Sequence, residues 1–152
     1  QWKGLTDYEK MRADMLAAEG YNAFAIDMYG KGIRPATNEE AGAEATKYKD
    51  DPALARRRLG AAIDLIRGMS SVGPRIAIMG YCFGGTMALE AARMGAPLEG
   101  AISFHGGLST LAPAKPGAVT AAVMVHHGAD DPLVPPREVT LFEHEMHDAG
   151  VT

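Results

Sequence analysis

At 152 residues the chain has the length of one domain, and 47% apolar residues give it enough material for a sizeable core. A formal net charge of −4 argues against a nucleic-acid surface, and no run approaches the ~18–20 apolar residues of a membrane span. The single cysteine excludes an internal disulfide and a cysteine-rich zinc site, and it fits a reducing, cytoplasmic setting.

Residues 5–19 place Leu5, Tyr8, Met11, Met15 and Leu16 on a helical stripe. Thr6 or Asp7 can cap its start and Gly20 follows its end, and Met11 and Met15 read as core filler rather than ligands. Tyr21–Met28 is short and mostly apolar and predicts a buried strand. Asp27, near its C-terminal end, either faces a ligand site or bonds the glycine- and proline-containing loop that follows, Tyr29–Pro35. Arg34 in that loop is a candidate partner for a substrate carboxylate, against the plainer reading of a solvated surface arginine. Asn38–Asp50 predicts a surface helix started by Thr37 or Asn38. Asp51 caps a second helix with Pro52 at its first position, and Leu54, Leu59, Ala62, Ile63 and Ile66 form its inner face. Arg75–Met79 predicts a strand and Thr86–Met94 a helix, and Leu98–Phe104 and Ala121–His127 predict two further strands. A last helix carries Val139, Phe142, Met146 and Ala149 inward. Strands alternating with helices imply an α/β fold with a parallel sheet of about four strands flanked by helices, as one domain over residues 1–152.

The stretch that carries chemistry is Gly80-Tyr81-Cys82-Phe83-Gly84-Gly85, between a predicted strand and a predicted helix. A strand that turns sharply into a helix leaves little room for side chains, and Gly80 and Gly84 flank Cys82 accordingly. This is the pattern of a nucleophile elbow, with cysteine in place of serine. At a helix N-terminus the thiol faces free N–H groups and the positive end of the dipole, which favour the thiolate. The N–H of Phe83 points where an oxyanion would form. The plainer alternative is a buried cysteine in a glycine-rich turn.

A nucleophile needs a base, and the base needs an orienting group. His105, His127, Asp130 and Asp131 follow strands, as Cys82 does, and such loops gather at one edge of a parallel sheet. Asp130 and Asp131 are both candidates for the orienting carboxylate. His105 leads the histidines, and His126, His127, His144 and His147 read more simply as structural. No H-E-x-x-H or comparable spacing points to a metal.

GYCFGG, the opening WKGLTDY followed by LAAEGYNAFAIDMYGKG, and HHGADDPLVP together resemble the dienelactone hydrolase family of α/β-hydrolases. The resemblance runs over essentially the whole chain. It implies a Cys-His-Asp mechanism on small carboxylic esters or lactones, with Cys82 as nucleophile and Asp131 as the acid. It implies an oxyanion hole made by the backbone N–H groups of Phe83 and Trp2, and it calls for no cofactor, metal, nucleic acid or membrane. Gln1 stands where the family often has a glutamate that regulates the nucleophile, a charge that glutamine cannot carry.

In this family the triad histidine follows the last strand, roughly thirty residues after the aspartate, and further strands precede the first large helix. On that pattern the sequence reads as an α/β-hydrolase truncated at both ends. One missing strand would lie between Tyr21–Met28 and Arg75–Met79. Those two strands are then expected either to close up as neighbours or to be covered by another chain, as a homo-oligomer. The functions that follow are a cysteine ester or lactone hydrolase, weak or inactive in this chain unless His105 or a neighbouring chain supplies the base, or a non-catalytic α/β scaffold with a reactive thiol.

Overall fold

The computed structural model describes residues 1–151. Five helices and three strands follow one another as α1 (Asp7–Ala18), α2 (Asn38–Asp50), α3 (Pro52–Arg67), β1 (Ala77–Tyr81), α4 (Phe83–Arg93), β2 (Gly100–Phe104), β3 (Ala122–His126) and α5 (Pro136–Asp148). The strands form one parallel sheet in the order β1-β2-β3, with Tyr81, Phe104 and His126 aligned across it at the C-terminal edge. The chain returns to the same end of the sheet through α4 between β1 and β2 and through the irregular stretch 105–121 between β2 and β3, so all three strands run parallel.

The helix ends obey local chemistry. Thr6 and Glu9 make a reciprocal capping box at α1, and Thr37 and Glu40 repeat it at α2. The Asp51 carboxylate accepts the Leu54 N–H at the start of α3, with Pro52 in the first turn. α4 is different: ten of its eleven residues are buried, so it is the central helix rather than a surface one. It lies against the sheet face that carries Ala101 and Ser103, both fully buried. Leu59, Ile63, Phe83, Met87 and Ala91 form the core between α3 and α4. Phe142 and Met146 of α5 close a second cluster with Leu89, Leu108 and Val134.

Two expectations are corrected. Residues 21–27 form no strand and pair with none, so the sheet has three strands rather than about four. A strand exists only by pairing, and the segment does not close up on β1. It is held instead by side chains: Asn22 donates to the Ser71 carbonyl (2.9 Å), and Asp27 accepts from the Gly30 N–H (3.1 Å) and pairs with Arg34 (2.9 Å). Asp27 and Arg34 therefore brace a loop. The second correction concerns Met11 and Met15, which are exposed rather than core. α1 buries no residue and meets the sheet at Tyr81, where Tyr8 packs edge-on and Arg12 lies over the ring. The sheet face opposite α4, with Met79, Ile102 and Met124, is correspondingly incompletely covered, and Met124 is 54% exposed. Among the described residues no helix is long and apolar enough to cross a membrane.

The layers behind α4 are tied by a buried ionic network. Arg93, with no exposed side-chain surface, pairs with Glu90 (3.1 Å) and Glu145 (2.8 Å) and donates to the Leu108 carbonyl. Arg56 reaches the other Glu90 oxygen (3.2 Å) and the Ala112 carbonyl (2.6 Å). Removing one partner leaves the others charged and buried, which costs more than the intact network contributes. Arg93→Met is expected to destabilise the chain by about 3–5 kcal/mol in urea titration. A loss below about 1 kcal/mol would contradict this role for the network.

Candidate active site

The site begins with a backbone constraint. Only Cys82 (φ 55°, ψ −123°) and His105 (φ 44°) among the described non-glycine residues have positive φ. An L-residue is strained there and is kept so only by its surroundings. At Cys82 the surroundings are visible. Its N–H is held by the Phe104 carbonyl (2.9 Å), which continues the sheet, and its carbonyl accepts the Thr86 N–H (3.1 Å), which begins the helix. One residue is thus fixed by two incompatible regular structures.

Glycine is demanded on both sides. A Cβ on Gly80 would lie 2.1 Å from the Gly84 backbone, and one on Gly85 would lie 2.6 Å from the Ser103 hydroxyl. Both separations are far inside van der Waals contact, so β1, α4 and β2 can approach this closely only without those side chains. The N–H groups of Phe83, Gly84 and Gly85 precede the first bond of α4 and have no acceptor within the helix. They lie at the turn that carries the half-buried Cys82.

The Phe83 peptide is positioned by its own side chain. The ring is buried between Tyr29 (centroids 5.5 Å apart) and Tyr48 (6.0 Å), which themselves pack at 5.7 Å. Tyr29 also donates its hydroxyl to the Trp2 carbonyl (2.7 Å), and the Trp2 ring packs on the same core. Burial, with smaller contributions from Glu44, Tyr48 and Cys82, pushes the Tyr29 hydroxyl well above its ordinary pKa. Gln1 lies beside the elbow, its main-chain nitrogen 3.1 Å from where a Cβ on Gly84 would be.

Gln1 thus lies beside the first turn of α4, and Trp2 is joined to the core that holds Phe83 through its ring and through Tyr29. Asp131 stands in the loop after β3, at the same sheet edge but two strand spacings from β1, about 10 Å. Its carboxylate accepts the Leu133 N–H (2.9 Å) and braces its own turn. His105 ends β2 beside the elbow, with its N–H on the His126 carbonyl (2.8 Å) and its side chain exposed. The His126 ring stacks on Phe104 (4.6 Å), His127 Nδ1 is buried without a partner, and His144 and His147 are exposed on α5. Among the described residues no histidine hydrogen-bonds Cys82 or Asp131, and no three His, Cys, Asp or Glu side chains are grouped to hold a metal ion. The residue that sequence patterning did not single out is Tyr29, read there as part of a loop. Its position between Asp27 and Gly30, at the end of an apolar run, was the available signal.

A sequence model of the dienelactone hydrolase family matches residues 1–152. The chain is 29% identical over 154 residues to a Bradyrhizobium sp protein named "Probable 2-oxo-3-(5-oxofuran-2-ylidene)propanoate lactonase", covering 94% of this chain and 61% of that protein. Among solved structures it superposes on one titled m3DLH with a TM-score of 0.91 at 36% identity, over 99% of this chain and 63% of that one. A dienelactone hydrolase-like promiscuous phosphotriesterase, P91, from metagenomic libraries gives 0.87 at 35%, with the same coverage. The chain therefore spans a little over three fifths of the length of these relatives.

Proposed function

Because the chain belongs to the dienelactone hydrolase family, we propose that it forms the nucleophile-bearing part of a hydrolase of small carboxylic esters or lactones. The observation that carries the proposal is the strained backbone of Cys82 at the β1–α4 turn, with unbonded N–H groups behind it. The lactonase name of the Bradyrhizobium relative agrees with that substrate class.

The Cys82 thiolate attacks the carbonyl carbon, and the carbonyl electron pair moves onto oxygen. That oxyanion is held by the N–H groups of Phe83 and Trp2. Collapse expels the alcohol oxygen as an anion, which takes up a proton from water, and leaves a thioester on Cys82. Water then attacks the thioester, loses a proton to a base, and releases the acid and the thiolate. Asp131 is the carboxylate that would orient such a base, and among the described residues no histidine is bonded to it. Gln1 neighbours the elbow as a neutral side chain and so adds no charge to it. With no histidine on Cys82 among the described residues, the first half of this sequence runs in the 152-residue chain and the second is slow.

Mixing the chain with p-nitrophenyl acetate should release about one equivalent of nitrophenolate in a burst, leave a single acetyl adduct by intact mass, and turn over slowly. Cys82→Ala should abolish burst and adduct. Neither burst nor adduct in the parent chain would overturn the hydrolase reading in favour of a scaffold with an unpoised thiol.

The incompletely covered sheet face and the outer edge of β1 support association with a second copy. Sedimentation should show dimer rising with concentration, and Met124→Glu should shift it to monomer. A monomer at all concentrations contradicts this.

A further inference from the structure

We propose that Tyr29 is a positioning residue that sets both oxyanion N–H groups at once, an inference that rests on the cysteine-hydrolase reading above. Three observations carry it. The ring of Tyr29 is 1% exposed and packs on Phe83 at 5.5 Å, so it fixes the side chain whose peptide supplies one N–H. Its hydroxyl donates to the Trp2 carbonyl at 2.7 Å, so it anchors the main chain of the residue that supplies the other. Space around it is closed: a Cβ on Gly4 would approach the Tyr29 ring at 3.1 Å, and Tyr48 occupies another side at 5.7 Å.

Two donors serve one oxygen only if their separation is fixed in advance. Phe83 belongs to α4 and is rigid through the core. Trp2 belongs to an irregular stretch before α1, with no helix or strand to hold it. Its described tethers to the elbow are its core-packed ring and the Tyr29 hydroxyl. Removing the hydroxyl frees the Trp2 peptide while the Tyr29–Phe83 stack remains. The loss then falls on steps that build negative charge on oxygen. It does not fall on the thiol itself.

Two reactions of Cys82 separate these effects. Acetylation by p-nitrophenyl acetate passes through an oxyanion, whereas alkylation by iodoacetamide does not. In Tyr29→Phe the acetylation rate is expected to fall roughly tenfold, less than the ~10²–10³ seen when an oxyanion donor is deleted outright. Alkylation should stay within about twofold of the parent, and 4-aminophenylalanine at position 29, which restores a donor, should recover most of the acetylation rate. Should Tyr29→Phe fail to fold, 4-fluorophenylalanine at position 29 fills the vacated space without a donor and gives the same comparison. Unchanged acetylation, or acetylation and alkylation falling together, overturns the proposal. A parent chain that is alkylated but never acetylated means instead that the cysteine-hydrolase reading has failed, and the proposal fails with it.

Discussion

The structure turns on the backbone of Cys82. A sheet bond from its N–H and a helix bond to its carbonyl force φ to 55°, and everything nearby is shaped to tolerate that. At Gly80 and Gly85, and at Gly106 after β2, a methyl group would strike backbone or the Ser103 hydroxyl. The reward is a central helix that begins at Phe83, immediately after the turn, and buries nearly all its length. A strained residue of this kind costs roughly 1–3 kcal/mol and persists only where its surroundings over-determine it. Here the same geometry puts a half-buried cysteine at the turn and leaves the first N–H groups of α4 without acceptors in the helix.

A second layer of organisation joins distant stretches to that turn. Tyr29 follows the unpaired segment 21–27, Tyr48 lies on α2, and Trp2 precedes α1, yet all three converge on Phe83 or its neighbours. Behind α4, the Arg93 network does the equivalent for α3, α5 and the loop after β2. The front of the helix is held by aromatic packing and one hydroxyl, and the back by buried charge. The front can therefore be adjusted by a single hydrogen bond, whereas the back resists any change that strands a charge.

What was legible in the sequence was local. Caps at the starts of α1 and α2, Asp51 before Pro52, and the glycines around Cys82 each act within a few residues; of the paired candidates Thr6/Asp7 and Thr37/Asn38 the structure takes the threonine each time, with Glu9 and Glu40 completing the caps. Tyr21–Met28 has the composition of a strand, but composition does not say whether a neighbour is there to pair with, and none is among the described residues. Met11 and Met15 fail for the same reason: a helical stripe marks the face meant for burial, not the surface that must meet it. At the site, Cys82 and Phe83 were readable because a turn is local. The loop of Asp131 was readable too, but not its separation from the elbow, which strand order decides. Tyr29 was not, because its meaning lies in a bond to a residue 27 positions away.

The most direct measurement compares Cys82→Gly with Cys82→Ala by urea denaturation. If the surroundings impose left-handed strain at position 82, glycine relieves it and alanine does not. The glycine variant should then be more stable by about 1–3 kcal/mol, despite the greater freedom of its unfolded chain. Equal stability, or a more stable alanine variant, would mean that the elbow is not strained and that the central constraint has been misread.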